Sequence, residues 1–299
     1  MKIFDSIKTG CTRASRSWKG IFVIWIVSLF LVSIVALPLK STFNSAIGKS
    51  MITEKLSNGI DVAVFADLES TFGNMVISWT TGLLILILVN FFLNAFFSAG
   101  LFSSLRSDTP SLRLSDFFRS SAKYFWSFCL ISLLTDLVIM FLFILIILVP
   151  VAISMHPGAS WGSTVFIIAI VASSVFLLLT LVLLLIADFA RAWQVSRERK
   201  ESVGAIKQGL GYAFRTFSSS YALMILFMLI QVACIAIAIM TIGSAEPSGA
   251  KGIILLFILS QVLFVVRIYI RTSRYGAITR LFEVEAGKNE IKQAEFSLQ

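Results

Sequence analysis

Six apolar runs, each about 20 residues or longer, constrain this chain more than any other feature. They cover approximately 20–38, 75–100, 125–153, 163–190, 219–243 and 252–275. A helix needs about 20 mostly apolar residues to cross the ~30 Å hydrocarbon core of a bilayer. The chain is also 58% hydrophobic and only 14% charged, whereas a soluble domain is about half apolar and a quarter charged. The sequence therefore predicts an all-α membrane protein with six transmembrane helices.

The distribution of basic residues predicts the orientation of these spans. Of the 25 Lys and Arg residues, 21 lie at the N-terminus, in 101–124, in 191–218 or from 267 onward, and four lie in the outer connections. Segments that flank spans on the cytoplasmic side carry an excess of Lys and Arg, so we expect both termini in the cytoplasm. The outer segments contain no Asn-x-Ser/Thr sequon, which favours a bacterial inner membrane over a secretory-pathway membrane.

One short sequence occurs twice, each time just before an apolar run. IKTGCTRASRSW at 7–18 returns as IKQGLGYAFRTF at 206–217, and DFFRSSAKYFWSF at 116–128 occupies the corresponding place before the third run. Apolar residues recur every three to four positions in the second copy, which is typical of an amphipathic helix at a membrane surface. We therefore predict three helical hairpins, each preceded by a cytoplasmic interface helix. The alternative is that any basic segment before a span has this composition.

The proposed repeat divides a single membrane domain, 1–299, into units of approximately 1–106, 107–200 and 201–282. The even-numbered spans end alike, with small residues at Ala99-Gly100, Ala190 and Gly276 that would let helix ends approach closely. Residues 283–299 are predicted to form a polar cytoplasmic tail. In the long connection at 39–74, apolar residues at helical spacing between 43 and 56 predict a short outer helix.

Charged and polar residues inside the apolar runs are the first candidates for a functional site. A charge at the centre of the hydrocarbon costs at least about 2.5–3.5 kcal/mol on insertion scales. The candidates are Asp136, Asp188, Arg267, Arg271, Asn90, Asn94 and Gln231. Asp136 and Asp188 are expected to pair with Arg267 and Arg271, which share one helix face. Such pairs would fix the helix register, or line a polar pathway or headgroup site; in a third interpretation each side chain reaches separately to the interface.

A second group of candidates consists of cations on the predicted interface helices. They would contact anionic lipid headgroups or a membrane-protein partner. These residues are Lys8, Arg16, Arg119, Lys123, Lys207 and Arg215. Their position beside apolar runs fits a membrane surface better than a nucleic acid, so no nucleic-acid partner is expected.

Motifs that would indicate an enzyme or a cofactor are missing. The three cysteines have no partner at metal-ligand spacing, and His156 is the only histidine, so no metal site is predicted. There is no phosphate-binding loop, no dinucleotide fingerprint and no nucleophile elbow. Asp136 and Asp188 also lack the glycine context of an intramembrane aspartyl protease. We therefore expect a protein that is not an enzyme and needs no cofactor.

The order of basic helix and hairpin, three times repeated with a small-residue end and then an Arg, resembles a group of uncharacterised bacterial six-helix integral membrane proteins. It is also similar to the membrane domain fused to some glycerophosphodiester phosphodiesterases, although no phosphodiesterase domain is present. The resemblance covers most of the chain. Together these features predict a non-enzymatic inner-membrane scaffold, assembly factor or accessory subunit at the cytoplasmic leaflet. The alternative is a transporter or flippase for a small or amphiphilic substrate.

Overall fold

The structure, a computed structural model, describes residues 2–47, 69–106, 113–154, 163–243 and 250–297. The helices in these ranges are α1 (Lys2–Arg16), α2 (Trp18–Ile47), α3 (Glu69–Ser104), α4 (Leu114–Phe143), α5 (Val149–Ser154), α6 (Ser163–Ser196), α7 (Ser202–Arg215), α8 (Phe217–Gly243) and α9 (Ala250–Ser297). A π-helical turn, Ile144–Leu148, connects α4 directly to α5. No strand occurs within the described ranges.

The prediction of an all-helical membrane protein is confirmed. Five stretches among the described residues are long and apolar enough to cross a membrane, and a sixth results if α1 and α2 are counted as one bent span. The separate helices α1 and α7 coincide with two of the predicted interface helices. The third copy, at 116–128, does not form a helix of its own, because α4 runs without a break from Leu114 through the span.

Two helices extend beyond the ends that hydropathy predicted. Helix α6 continues past the apolar run to Ser196, and α9 continues to Ser297. The segment 283–297, within the predicted polar tail, is therefore helical. On the other side, α2 continues to Ile47, while the remainder of the predicted outer helix lies outside the described residues.

The chain forms two compact units, one comprising Met1–Phe22 and Ala95–Gln299 and the other Val23–Asn94. The second unit contains most of α2 and α3. Its large apolar side chains, such as Phe30, Leu84 and Ile87, are exposed, as expected for surfaces that face lipid.

The core of the first unit lies where the basic ends of its helices meet. Helix α1 packs along α9, α7 packs along α6, and α6 also contacts α4, α8 and α9. Phe102 forms the centre of an aromatic group, with its ring centroid 4.6 Å from that of Tyr275 and 5.9 Å from that of Phe128. All three rings are buried.

Small residues bring the backbones of this core into direct contact. A Cβ added at Gly10 of α1 would lie 2.5 Å from the Ser273 oxygen of α9. A Cβ added at Gly209 of α7 would lie 2.7 Å from both the Ala190 nitrogen and the Ile186 oxygen of α6. In α3, the space beside Gly100 is filled by Ser121 and Phe117 of α4. A larger residue at Gly10 or Gly209 would displace the backbone of a neighbouring helix, and one at Gly100 would displace the side chains of Ser121 and Phe117.

The π-helical turn has a local cause. Pro150 has no N–H, so it cannot donate the hydrogen bond that an α-helix would require of it. The preceding N–H, that of Val149, donates to the Ile144 oxygen five residues earlier. The wider turn lets the helix continue past the proline to Ser154.

Candidate functional site

A cluster of buried ions joins three helices of the first unit. The Asp188 side chain, on α6, is 0% exposed, and one of its carboxylate oxygens lies 3.0 Å from Arg191 Nη1. The other carboxylate oxygen lies 3.1 Å from Nη2 of Arg274 on α9. Arg191 Nη2 also donates a hydrogen bond of 2.9 Å to the Ser132 hydroxyl of α4. A buried carboxylate bound by two guanidinium groups is strongly held, because removing it would leave two cations without their counterion.

The partners of Asp188 differ from the predicted ones. The sequence predicted a pair with Arg271 or Arg267, whereas the carboxylate binds Arg191 and Arg274. The sequence-based interpretation counted both arginines only among the basic residues of the cytoplasmic side. They lie well inside helices because α6 and α9 continue past the apolar runs, and this continuation brings their side chains into the protein core.

Arg271 has a different environment, on the same helix as Arg274. Its Nε donates to the Tyr275 hydroxyl at 2.8 Å, and its guanidinium carbon lies 5.3 Å from the centre of the Tyr275 ring. Arg274 contacts the same ring at 5.1 Å. Tyr275 therefore provides a cation–π surface for two arginines, which stabilises positive charge at this depth.

Asp136 is exposed on α4, and its carboxylate forms an ion pair with neither Arg267 nor Arg271. It lies one turn beyond Ser132, and Arg191 exerts an electrostatic attraction on it. The predicted pair does not form because the Arg267 side chain faces a groove between α8 and α9. Asp136 therefore sits at the edge of the buried ion cluster, with its side chain open to the surroundings of α4.

That groove contains two of the predicted polar residues. Arg267 of α9 and Gln231 of α8 line a cavity of ≈ 220 Å³ together with Ser260 and Cys234. The rest of the lining is apolar and consists of Ile235, Ala238, Leu263, Phe264 and Ile270. A mostly apolar cavity with a few convergent polar groups is the usual composition of a ligand site.

The remaining predicted site residues are at the surface. Asn90 and Asn94 are exposed along α3, in the second unit. All six cations predicted to contact headgroups or a partner are exposed, namely Lys8, Arg16, Arg119, Lys123, Lys207 and Arg215.

Sequence reasoning did not single out several residues that tie the helix ends together. Arg13 of α1 donates to the Leu105 carbonyl at 2.9 Å and forms an ion pair of 2.8 Å with Glu283 of α9. Gln194 of α6 donates to the Ser127 hydroxyl and to the Glu201 carbonyl. Arg13 lies in the repeated short sequence at 7–18, but its acidic partner is 270 residues away, so no local spacing could indicate the pair.

Glu198 connects the ends of three helices through an unusual backbone conformation. It follows α6 with φ of 53°, where glycine is the usual residue. Arg199 N–H donates to the Gln194 oxygen and Glu198 N–H to the Val195 oxygen, the bonding pattern of a Schellman cap. Its carboxylate lies 3.4 Å from both Arg106 and Lys123, and the Lys123 charge, aided by Arg106, lowers the pKa of Glu198 below its usual value.

Comparison with known proteins adds no relative to this description. No family model matches the chain, and neither the curated proteins nor the solved structures contain a match. Within the described residues no group of three or more His, Cys, Asp or Glu side chains could hold a metal ion.

Proposed function

We propose that the protein is a non-enzymatic membrane scaffold or accessory subunit that binds a transmembrane helix of a partner protein along α4. The observation that carries this proposal is the exposure of Asp136 on α4, in a stretch from 133 through the π-helical turn and α5 to 154 that contains no buried residue. Asp188 and Arg191, in contrast, are buried, and the Asp188 carboxylate pairs with both Arg191 and Arg274. Among the described residues, the Asp136 carboxylate forms no ion pair within 4 Å, and it lies on a surface that is open to a partner helix.

The chemistry of Asp136 defines the partner. A carboxylate on a lipid-facing surface is costly, and intramembrane acids usually pair with a basic or hydrogen-bonding group. Transmembrane helices associate through close packing and such polar contacts, since lipid removes the hydrophobic driving force. We therefore expect a partner helix with Lys, Arg, His or a hydroxyl residue at the depth of Asp136.

Site-specific photo-crosslinking tests this proposal. A photoreactive amino acid at Leu137 or Met140, both exposed on α4, should give a discrete cross-linked product in native membranes. The matched control positions are Ile237 and Ile239, which are exposed on α8. Asp136→Ala should abolish the α4 product and Asp136→Glu should retain it. Equal products from both helices, or a product insensitive to Asp136→Ala, would contradict the proposal.

We infer that the finer architecture is a threefold internal repeat. This inference is supported by the packing of a small residue from each repeated segment, at 7–18, 116–128 and 206–217, on a helix of another repeat. Gly10 packs on α9, Ser121 on α3 and Gly209 on α6. The second and third repeats thus each contact the end of the repeat before them, and the first repeat contacts the end of the third. In this arrangement α1 and α7 are cytoplasmic interface helices of the first and third repeats, and the start of α4 takes the corresponding place in the second repeat.

The proposed location is a bacterial inner membrane with both termini in the cytoplasm. It rests on the basic bias of alternate connections and on the resemblance to bacterial six-helix membrane proteins and phosphodiesterase-linked membrane domains. A cysteine introduced at Arg199, in an otherwise cysteine-free protein, should react with an impermeant maleimide only after the cells are opened. Labelling in intact cells would show that this segment faces the outside and would contradict the proposed orientation.

Transport is a second candidate function, and the groove around Arg267 and Gln231 favours it. A flippase would move an amphiphile past these groups. Reconstituted vesicles with fluorescent phospholipids should then lose the fluorescence of both leaflets to an external reductant. Loss of the outer leaflet signal alone would reject this candidate.

A further inference from the structure

Arg267 differs from the other arginines in the apolar part of α9. Arg274 binds Asp188, and Arg271 donates to Tyr275. The Arg267 side chain is exposed, and within the described ranges no acidic group lies within 4 Å of it. A guanidinium in hydrocarbon without an anion is unfavourable, so its position predicts an anion supplied from outside the chain.

The groove beside Arg267 has the form of a site for an amphiphile. Gln231 lies with Arg267 at the end of the groove nearer the basic helix ends. Ile235, Leu263 and Phe264 form an apolar lining beyond these two polar residues. An anionic head at the polar end and a hydrocarbon chain along the apolar part would match both halves of this lining.

We propose that the groove between α8 and α9 binds an anionic phospholipid, with its phosphate on Arg267 and Gln231. A guanidinium group can hold two phosphate oxygens at once, which a lysine cannot do in the same geometry. Arg267 precedes Arg274 by seven residues, which is about 10 Å along the helix axis. A long Arg side chain can extend over part of that distance toward the headgroup layer, so the lipid belongs to the leaflet at the basic helix ends.

The surroundings of the groove favour a lipid over a small soluble anion. Residues beside the groove on the outer faces of the two helices, including Ile230, Ile258 and Val262, are large, apolar and exposed. These faces lie in the hydrocarbon, where a lipid is already present at high concentration. A soluble phosphate would have to leave water and cross this apolar surface to reach Arg267.

Lipid binding to the detergent-purified full-length protein tests the proposal by native mass spectrometry. Phosphatidylglycerol should bind preferentially over phosphatidylcholine of the same chain length. Arg267→Gln should weaken phosphatidylglycerol binding about tenfold, as expected for the loss of a charge-assisted contact, and should leave phosphatidylcholine unchanged. Arg267→Lys should retain part of the preference, because it keeps the charge but loses the bidentate geometry.

Two controls separate this site from general headgroup attraction. Arg199→Gln removes an exposed cation from the segment after α6 and should keep the full preference. Ala238→Phe fills the apolar part of the groove without a change of charge, and should weaken both lipids. Each variant is used only if its circular dichroism and elution match those of the wild-type protein.

Three results would overturn the proposal. The first is equal binding of the two lipids to the wild-type protein. The second is the same loss of phosphatidylglycerol in Arg267→Gln and Arg199→Gln. The third is displacement of phosphatidylglycerol by millimolar inorganic phosphate, which would identify the site as one for a soluble anion.

Discussion

The two ends of helix α4 lie in opposite environments. Near its beginning, Ser121, Phe128 and Ile131 are fully buried against neighbouring helices. From 133 to the end of α4, and on through the π-helical turn and α5 to 154, no residue is buried. Large apolar side chains therefore occupy both the protein core and the exposed surface of this region, because lipid solvates apolar side chains as well as a protein core does. Packing, ion pairs and hydrogen bonds therefore hold the helix ends together.

The largest effect is expected at the buried ion cluster. Asp188→Ala removes the carboxylate that Arg191 and Arg274 share, so two buried cations lose their counterion. We expect a loss of about 3–5 kcal/mol in the free energy of unfolding, measured by SDS titration of the detergent-solubilised protein. Asp136→Ala is the matched control and should change this free energy little. Equal losses in both variants would remove the distinction between the buried and exposed acids.

A smaller effect is expected from apolar truncation in the two halves of α4. Ile131→Ala creates a cavity at a fully buried position and should cost about 2–4 kcal/mol. Leu137→Ala, at an exposed position on the same helix, should cost less than about 0.5 kcal/mol. The same SDS titration measures both variants. A loss at Leu137 equal to that at Ile131 would mean that the exposed half of α4 is packed within the purified protein.

The glycine contacts offer a test in which one methyl group is added. Gly209→Ala places a Cβ 2.7 Å from backbone atoms of α6, so we expect a loss of about 1–3 kcal/mol from overpacking. Gly211→Ala is the control on the same helix, since no atom lies within 4 Å of its added Cβ. That variant should be neutral, or more stable by up to about 1 kcal/mol, because alanine favours a helix. Thermal unfolding of the two proteins under identical conditions distinguishes these outcomes.

The smallest effect is expected at Glu198, which is exposed. Its pKa is lowered by Lys123 and Arg106, so its contribution to stability is present above the unfolded-state pKa of about 4.3. That contribution should be lost as the pH falls through the lower folded-state value. Glu198→Gln should therefore lower the melting temperature slightly at pH 7, and the difference from wild type should shrink below about pH 4. A difference that is independent of pH would assign the effect to the cap conformation instead of the charge.

Hydropathy was sufficient to predict the helical membrane architecture, because the length of an apolar run is a direct consequence of bilayer thickness. It placed the ends of α6 and α9 too early, since the ends of an apolar run mark where lipid stops and not where helix stops. Arg191 and Arg274 were counted only among the basic residues of the cytoplasmic side, and the partners of Asp188 were predicted incorrectly. The sequence indicated Arg267 and Gln231 as polar residues within spans. It could not predict the groove that they line, because the apolar lining depends on the packing of two helices and has no local sequence signal.

The pairing of Asp188 with Arg191 has a consequence for biosynthesis. The two residues are three apart on α6, so this helix carries its own counterion as soon as it forms. It can enter the bilayer before α9 has been synthesised, without an isolated charge. Arg274 of α9 then completes the cluster, so the second ion pair of Asp188 forms only after α9 has been synthesised.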